Sequence, residues 1–479
     1  MRTLLFWVSM TIAVRHLRFS SSFSLLSQSF NFRFGSVGTH VTKFQTHSSL
    51  FQKKNSFKSL LQKHRQYRTV TSMTGVVLQD ENKTMGNGEI GVSKASAKIV
   101  PCTELKACGE RLRQGGLVAF PTETVYGLGC NALDESAIIK VFEAKERPLT
   151  DPLISHVTDS QVAFDLWAAE TDSLEEKALR SLTEEFWPGP LTMVAKAAPD
   201  VPSILMANTG FCACRSPQHP ISIALINAAQ VPIAAPSANK FGHVSPTRSS
   251  HVWHDLQHED VWIVEEEQEE DNLKTSCCEV GVESSVAKIE MTDDKKGQIT
   301  LLRQGAVSLR DIEECLEKAG LANNFEVLAL TKKATDETVA NVAPGQTIRH
   351  YSPDVPSFIL STSLYSTATS SPATESDKEY LSKSVLIDFG GKIKEWKDLA
   401  LAYRDLSETG NSAEATKQVF EILRWAEKVQ LAEYILFPEI ADTIELPTNE
   451  SSSPDALTLA LKDRLTRAAS GIVIDSLGK

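Results

Sequence analysis

Two short polar segments, far apart in the chain, carry residue types that could act on a phosphorylated ligand. Lys145-Glu146-Arg147 offers two fixed cations, and Ser237-Ala238-Asn239 offers two neutral hydrogen-bonding side chains. Each segment stands where an apolar run gives way to a polar loop, the usual place for binding residues on an α/β scaffold. Arginine and lysine hold phosphates, whereas serine and asparagine orient polar groups. A basic pair at a helix end also compensates the helix dipole, so neither segment decides the matter alone.

The elements around these segments must place the two cations at a helix end. The apolar run 117–120, between Gly115-Gly116 and Pro121, predicts a buried strand, and so does the run 231–235 before Ser237. Pro148 ends the predicted helix, so we expect Lys145 and Arg147 in its last turn and off its apolar face. The helix itself is predicted from an N-cap and from apolar residues at helical spacing, namely Asp134, Ala137, Ile138, Val141 and Phe142.

Further motifs stand in a recognisable order along the chain. They are PTETVYGLG, KERPLTDPLISHV, FWPGPLTMV, CRSPQHPISIALI, PIAAPSAN, SPT and GVESSV. This order resembles that of YrdC-like domains, and PGQTIRHYSP resembles the linker of the long, two-domain threonylcarbamoyl-AMP synthases. The resemblance covers about residues 95–356 and continues weakly to residue 471. It implies an α/β protein with a YrdC-like twisted mixed sheet, flanking helices and a smaller C-terminal α/β, Rossmann-like domain.

The resemblance implies an enzyme that makes L-threonylcarbamoyladenylate from L-threonine, bicarbonate or CO2, and ATP, and that releases pyrophosphate. The product would pass to a separate transferase that forms threonylcarbamoyl-adenosine next to the anticodon of tRNA. A threonine carbamate is an anion that must attack the α-phosphorus of another anion. Such a site needs fixed cations and orientation more than a strong base. Mg2+ would arrive with ATP and keep several waters, so no carboxylate cage is expected.

The residue types and the resemblance together assign three sets of site residues. Catalysis is assigned to Lys145, Arg147, Ser237 and Asn239. L-Threonine is assigned to Thr122, Thr124, His156, Arg215, Ser237 and Ser284. ATP is assigned to Lys145, Arg147, Asp151, Asn239, Ser245, Thr247, Arg303 and Tyr351. No resident metal ligands are predicted.

Two positions depart from the family pattern. Asp151 stands where Asn is common, so it would contact ribose or metal, or be solvated. Ile348 stands in the linker where Tyr is frequent, which puts the strength of closure by the following His350-Tyr351 in doubt. The planar guanidinium of Arg215 suits the threonine carboxylate, with a surface strand arginine as the alternative.

Two other function classes stay open. YrdC-like folds present a concave surface, so an RNA-binding or ribosome-associated module is the main alternative. A carbamoyl-phosphate-using transferase is the other, but the chain has no CxxC motif of the kind that its zinc fingers require. The eight cysteines show neither zinc spacing nor a disulfide framework, which predicts free thiols. The chain has no P-loop or GxGxxG, so a nucleotide would be held by another device.

The first 79 residues contain eleven Lys or Arg, thirteen Ser and no Asp or Glu. This composition is typical of an organellar transit peptide, with a secretory signal as the alternative. We therefore expect targeting to mitochondria or plastids, with Met73 as a possible start of a cytosolic form, and no membrane anchor.

The remaining chain is predicted to divide into four parts. They are a spacer at 76–94, a catalytic domain at 95–322, a linker or lid at 323–356 and a C-terminal domain at 357–479. The acidic stretch 265–271 is interpreted as a solvated insertion, and the Ser/Thr-rich stretch 361–374 as a flexible loop. The C-terminal domain is then expected to begin with a strand at 385–389.

Charge argues against nucleic acid as a stable partner. The full chain has 49 basic and 61 acidic residues, a net charge of −12. Without the eleven basic residues of the N-terminal region, 38 basic residues face 61 acidic ones, and the net charge is near −23. Phosphates repel such a chain unless it forms a local basic groove, so no stable tRNA binding is expected.

Overall fold

The computed structural model describes residues 96–265, 278–293, 295–330, 341–343, 350–368, 373–440, 444–445, 451–452 and 455–477. All of them lie in one compact unit, Ile90–Lys479. The predicted presequence and spacer, the acidic stretch after Glu265 and the linker position Ile348 lie outside the described residues. Within the described part of the chain, no helix has the length and apolar character needed to cross a membrane.

The larger sheet is mixed, as predicted, and has eleven strands among the described residues. Its strands are β1 (Lys98–Pro101), β2 (Leu117–Phe120), β3 (Gly127–Asn131), β4 (Ile154–His156), β5 (Leu191–Lys196), β6 (Phe211–Arg215), β7 (Ile233–Ala234), β8 (Val261–Glu265), β9 (Ser285–Met291), β10 (Gly297–Arg303) and β11 (Phe325–Ala329). Their order in space is β1-β8-β2-β3-β7-β4-β6-β5-β9-β10-β11. Parallel pairs such as β4 with β6 stand beside antiparallel pairs such as β5 with β6.

Helices cover both faces of this sheet. They are α1 (Leu105–Arg113), α2 (Glu135–Lys145), α3 (Ser160–Leu166), α4 (Leu174–Phe186), α5 (Pro220–Ala229), α6 (Ser249–Leu256) and α7 (Leu309–Lys318). The sequence of strand β2 is apolar without interruption because both faces of the strand are buried. Leu117 and Ala119 pack into one core with α2 and α4, whereas Val118 and Phe120 pack into the other core with α1 and α5. A strand buried on both faces has no polar side.

A smaller, wholly parallel sheet follows, which confirms the predicted Rossmann-like α/β unit. Its order is β14-β13-β15-β12-β18, and β16 and β17 form a separate antiparallel pair. The strands are β12 (Ser357–Leu360), β13 (Ser384–Asp388), β14 (Ala402–Asp405), β15 (Tyr434–Pro438), β16 (Ile444–Glu445), β17 (Ser451–Ser452) and β18 (Val473–Ile474). The helices are α8 (Thr362–Ala368), α9 (Glu375–Leu381), α10 (Ser412–Ala426) and α11 (Ala456–Ala468).

Two expectations for this region were wrong. The stretch 361–374 contains helix α8 and the N-cap residue of α9, Thr374, although residues 369–372 lie outside the described part. Leu364 and Tyr365 pack against an apolar cluster of the small sheet, and this contact stabilises a helix that Ser/Thr-rich composition does not favour. The sheet also begins at β12, ahead of the predicted first strand.

Helices α10 and α11 pack directly against the larger sheet's loops. One apolar cluster contains Val125 and Val282 from those loops together with Phe420 from α10. Gly281 shows how close the approach is, because an added Cβ would lie 2.4 Å from the Cα of Lys417. Gly281 also has a φ of +75°, a conformation that favours glycine.

Candidate active site

The two polar loops that the sequence singles out lie side by side. The backbone N–H of Leu128 donates to the carbonyl of Pro236 at 2.8 Å, and the N–H of Ala238 donates to the carbonyl of Tyr126 at 2.8 Å. The PTETVYGLG motif therefore continues into β3 while holding the PIAAPSAN motif beside it. Backbone pairing of this kind fixes the side chains of both motifs around one space.

That space is a cleft with an empty volume of about 510 Å³, including its open mouth. It is lined by Thr122, Thr124, Val125, Gly127, Arg147, Ile154, His156, Arg215, Ala235, Pro236, Ser237, Glu283, Ser284, Arg303, His350 and Tyr351. Nine predicted site residues are among them, namely Thr122, Thr124, Arg147, His156, Arg215, Ser237, Ser284, Arg303 and Tyr351. Ligand sites are commonly clefts of this kind, in which a few polar side chains converge between apolar walls.

One end of the cleft is organised around Arg215, the last residue of β6. Its Nη1 donates to Thr124 Oγ1 at 3.0 Å, its Nη2 to Glu123 Oε1 at 2.5 Å, and its Nε to the carbonyl of Gly189 at 3.2 Å. The side chain is 4% exposed, so it is not the surface arginine that the alternative interpretation required. The guanidinium is held rigidly, which suits it to orient a planar carboxylate.

His156 lies beside this arginine at the end of β4. Its Nδ1 stands 3.2 Å from the carbonyl of Ile154, and its ring meets Phe120 edge to face. Burial, together with the charge of Arg215, lowers the pKa of His156 to about 3. The imidazole is therefore neutral at physiological pH and acts as a hydrogen-bonding group rather than a cation.

Two further guanidinium groups lie in the cleft. Arg147 donates to the carbonyls of Asp151 and Pro152, and its Nη2 is 2.9 Å from Asp151 Oδ2. Arg303 donates through Nε to the carbonyl of Ser284 at 2.9 Å and through Nη2 to its hydroxyl at 3.1 Å. Burial lowers the pKa of both guanidinium groups, but from a value so high that both remain charged.

Five predicted site residues do not line the cleft, namely Lys145, Asp151, Asn239, Ser245 and Thr247. All five are almost fully buried behind its wall. The ammonium of Lys145 donates to the carbonyl of Ser237 at 2.6 Å and to that of Asn239. Asn239 Nδ2 in turn donates to the carbonyls of Lys240 and His243, so these side chains hold the loop together. The expectation that Lys145 and Arg147 project away from the buried side of α2 was wrong, because both are under 4% exposed.

The linker residues His350 and Tyr351 close one side of the cleft. Their rings meet edge to face at 4.2 Å, and Tyr351 lies 5.3 Å from the ring of Phe420 in α10. Tyr351 OH and His350 Nδ1 are buried and have no hydrogen-bond partner among the described residues. Burial raises the pKa of Tyr351 to about 12, so its hydroxyl is a donor at neutral pH. Buried polar atoms in this state are suited to contact a ligand.

Sequence reasoning missed Glu283 and Glu123, although both stand inside motifs that it quoted. Glu283 lines the cleft, and Glu123 pairs with Arg215. A carboxylate is not expected in a site that binds anions unless a cation lies beside it. The paired arginines, Arg215 and Arg464, are far from these residues in sequence, so only the structure shows the pairing. His350 was noted as part of the linker but was not assigned to the site.

A possible metal-ligand set lies elsewhere in the described residues. Ligand atoms of His243, Asp354 and Glu427 come within 4.8 Å of one another, and none of the three residues lines the cleft. His243 Nδ1 and Nε2 are 2.8 and 3.0 Å from carboxylate oxygens of Asp255 and Glu427. An imidazolium bridging two carboxylates accounts for this geometry without an ion.

Family models match most of the chain. Residues 110–305 match the Sua5/YciO/YrdC model, which is described as "Telomere recombination". Residues 307–470 match the model described as "Threonylcarbamoyl-AMP synthase, C-terminal domain".

Curated relatives of the chain are named threonylcarbamoyl-AMP synthases. The threonylcarbamoyl-AMP synthase of Bacillus subtilis is 39% identical over 246 residues, a match that spans 51% of this chain and 63% of the relative. The threonylcarbamoyl-AMP synthase of Schizosaccharomyces pombe is 31% identical over 382 residues, spanning 74% of this chain and 85% of the relative. The match to the bacterial relative thus covers less than two thirds of that protein's length, whereas the match to the yeast relative covers most of it.

Solved structures agree in fold over both sheets. Pyrococcus abyssi Sua5 complexed with L-threonine superposes with a TM-score of 0.60 at 29% identity, covering 79% of this chain and 99% of that chain. A variant of the same protein with an adjacent His and Tyr replaced by Ala gives a TM-score of 0.62 at 26% identity, with 79% and 98% coverage. Two family models match the chain, and the yeast relative is 31% identical over 85% of its own length. Together with the cleft, these matches show that the chain belongs to the threonylcarbamoyl-AMP synthase family.

Proposed function

We propose that this protein synthesises L-threonylcarbamoyladenylate from L-threonine, bicarbonate or CO2, and ATP. The observation that carries the proposal is the cleft in which Arg147, Arg215 and Arg303 meet the unpartnered polar atoms of His350 and Tyr351. Three fixed guanidinium groups in one small space suit a reaction between two anions. The L-threonine complex of the Pyrococcus abyssi protein supports the choice of amino acid.

The threonine end is assigned to Arg215 and its neighbours. The guanidinium would hold the threonine carboxylate, while Thr122 and Thr124 offer hydroxyls and neutral His156 offers a ring nitrogen. The free amine of threonine would take up CO2 to form a carbamate and release a proton. A neutral histidine does not repel the amine, which is an advantage of its lowered pKa.

The ATP end is assigned to Arg147 and Arg303. A carbamate oxygen would attack the α-phosphorus, forming a new P–O bond while the bond to the β-phosphate oxygen breaks and pyrophosphate leaves. The two guanidinium groups would stabilise the charge on the reacting phosphates. Ser237 and Ser284 line the same cleft and would orient the substrates. The buried Lys145, Asn239, Ser245 and Thr247 would act through the loops that they hold.

Mg2+ is proposed to enter with ATP. Near the cleft, the carboxylates of Glu123 and Asp151 are ion-paired with arginines, and so is that of Glu283. These carboxylates do not form an open cage, so the ion would be held by the phosphates and water. The chemistry that it supplies is charge neutralisation of the triphosphate.

The linker is proposed to act as a lid. This chain contains one His-Tyr dipeptide, at 350–351, and the Pyrococcus abyssi variant concerns an adjacent His and Tyr. A ring at this place would exclude water, which would otherwise hydrolyse the adenylate. The product would then serve a tRNA-modifying transferase, with no stable tRNA binding by this chain. We also propose targeting to mitochondria or plastids through residues 1–75, and a cytosolic form that starts at Met73.

The proposal is tested with the full-length protein. Incubation with L-threonine, bicarbonate, ATP and Mg2+ is expected to yield pyrophosphate and threonylcarbamoyladenylate, which mass spectrometry detects. Omission of threonine is the control and should abolish the adenylate. Salt-sensitive retention of tRNA on a filter, without adenylate formation, would favour the RNA-binding alternative instead.

A further inference from the structure

Helix α11 of the C-terminal part inserts a guanidinium group into the wall of the cleft. Arg464 is fully buried, at 0% exposure. Its Nε donates to Glu283 Oε2 at 3.1 Å, and its Nη2 faces the carbonyl of Glu283 at 3.3 Å. Its Nη1 donates to the carbonyl of Gln304 at 2.6 Å and to Asp463 Oδ2 of its own helix at 3.2 Å. Glu283 and Gln304 belong to loops of the larger sheet, so one side chain ties the two parts of the protein together.

The partner of Arg464 is a carboxylate that faces the proposed substrates. Glu283 lines the cleft and is 6% exposed. Its second oxygen, Oε1, accepts a hydrogen bond from Ser245 Oγ at 2.5 Å. A buried carboxylate without a counter-charge is costly, and in an anion-binding cleft it would also repel the ligand.

The charges around the cleft follow one rule. Each carboxylate at or beside it is ion-paired with an arginine: Glu123 with Arg215, Asp151 with Arg147 and Glu283 with Arg464. The first two arginines belong to the larger sheet's own part. The third comes from 181 residues further along the chain, in another α/β unit.

We propose that Arg464 is a positioning residue that neutralises Glu283 and thereby allows the phosphates of ATP to enter the cleft. The C-terminal part then has a defined role in the reaction, because it supplies the arginine that is ion-paired with Glu283. The guanidinium of Arg464 also lies 5.5 Å from the ring centre of Tyr351, so it supports the linker residue at the same time. The inference rests on the proposed function, since it assumes that ATP is the anion.

The test measures equilibrium binding of Mg2+–ATP to the full-length protein by calorimetry. Arg464→Gln is expected to weaken ATP binding about tenfold, because Glu283 is left as an uncompensated negative charge. The double variant Glu283→Gln/Arg464→Gln removes both charges and should recover binding to within about threefold of the wild type. Arg464→Lys keeps the charge and should fall between the wild type and Arg464→Gln.

Arg424→Gln is the matched control. Arg424 is also a buried arginine between the two parts, but it pairs with Asp255 and does not contact Glu283. Its loss should lower the melting temperature and change ATP affinity by less than about threefold. Equal losses of ATP affinity in Arg424→Gln and Arg464→Gln would overturn the inference, since they would point to general loosening of the interface.

The double variant tests the inference even if Arg464→Gln does not fold, because it removes both charges of the Glu283–Arg464 ion pair. ATP affinity near that of the wild type supports the inference, whereas a tenfold loss contradicts it. If the wild type makes the adenylate and Arg464→Gln binds ATP normally, the inference alone fails. If the wild type binds no ATP, both the inference and the proposed function fail.

Discussion

At the scale of single residues, the cleft depends on arginines whose orientation is fixed before any ligand arrives. Arg215 donates through all three of its nitrogens to protein oxygens. An arginine fixed in this way loses little conformational entropy when it binds a carboxylate, and a lysine cannot reproduce its planar geometry.

Replacement of Arg215 by lysine should therefore affect one substrate more than the other. We expect Arg215→Lys to raise the apparent KM for L-threonine at least about tenfold more than that for ATP, equivalent to about 1.4 kcal/mol. Steady-state kinetics with each substrate varied in turn provide the measurement. Arg310→Lys is the control, because Arg310 lies on the solvent-facing side of α7 with a side-chain exposure of 85%. Equal increases for both substrates would remove Arg215 from the threonine site.

Lys145 has a structural role as well as its proposed part in catalysis. Its ammonium is bonded to the carbonyls of Ser237 and Asn239, and burial, followed by the charge of Arg147, lowers its pKa well below the usual value. We expect Lys145→Ala to lower the free energy of unfolding by about 2 kcal/mol, because two buried carbonyls lose their donor. The rate of pyrophosphate release should also fall about 10²–10³-fold, because the loop that contains Ser237 and Asn239 is no longer held in place.

Urea denaturation and pyrophosphate release together test this role of Lys145. Lys140→Ala, on the exposed side of the same helix, is the control and should change stability less. A Lys145→Ala protein with unchanged stability and wild-type activity would contradict both assignments.

The residue types at the site could be predicted from the sequence, but the directions in which their side chains point could not. The tripeptide at 145–147 indicated two phosphate-binding cations. In the structure, Glu146 has a φ of 56° and turns the chain between them, so Lys145 reaches the second loop while Arg147 enters the cleft. A left-handed residue that is not glycine gives no sequence signal, and this explains the difference.

At the scale of secondary-structure elements, apolar spacing and capping residues were sufficient to predict an element whose formation depends mainly on its own sequence. Strand β2 lies where it was predicted, and α2 begins where it was predicted, because Asp134 accepts hydrogen bonds from the N–H groups of Ser136 and Ala137. The predicted end of α2 was wrong, since the helix stops at Lys145 and Arg147 lies beyond its last turn. Strand order could not be predicted in this way. Strand β8 lies between β1 and β2 although it is far from both in sequence, and no local pattern encodes such a pairing.

The contact between Gly281 and α10 provides a test of how the two parts fit. Gly281→Ala should destabilise the protein more than Gly210→Ala. Both glycines have positive φ, at +75° and +82°, but a Cβ at Gly210 would meet nothing within 4 Å. The shared backbone strain costs about 1 kcal/mol, so any larger loss in Gly281→Ala reports the clash with α10. Thermal melts of both variants give the comparison, and equal melting temperatures would contradict the close approach.

His243 links a loop of the larger sheet to the end of α10. Burial alone would lower its pKa, but hydrogen bonds to Asp255 and Glu427 raise it to about 9, with Arg424 opposing. A folded-state pKa above the unfolded value means that protonation stabilises the fold. This contribution is fully present below about pH 6.5 and is lost as the pH rises through about 9.

The stability of the wild type relative to His243→Gln should therefore fall between pH 7 and pH 10. The full contribution is of the order of 3 kcal/mol, because the pKa of His243 rises from 6.5 to about 9 on folding. Urea midpoints at several pH values measure it. His254→Gln is the control, because His254 is 51% exposed. A stability difference that does not change with pH would show that His243 acts by packing alone.

At the scale of the whole molecule, charge separates the N-terminal region from the rest. The first 79 residues are basic and free of acidic side chains, whereas the remainder has a net charge near −23. We expect a fluorescent protein fused to residues 1–75 to enter mitochondria or plastids, and a fusion of the chain that starts at Met73 to stay in the cytosol. Fluorescence microscopy with organelle markers makes the measurement, and secretion of the first fusion would contradict the transit peptide.

The fold class was predictable at this scale because the motif order and the alternation of strands and helices point to it. The role of the C-terminal part was not predictable. Arg464 and Arg467 stand three residues apart in α11, and both are under 2% exposed. In the sequence they look like a solvated stripe on a helix, since only their three-dimensional partners explain their burial.

The division between the two family models does not coincide with a division in the structure. The second model begins at residue 307, yet α7 and β11 follow that point and complete the larger sheet, where β11 pairs with β10. A chain that ended at residue 306 would lose both elements, which would expose the backbone edge of β10 and the apolar face that α7 covers. A fragment that carries the cleft and folds alone is therefore expected to extend at least to Ala329.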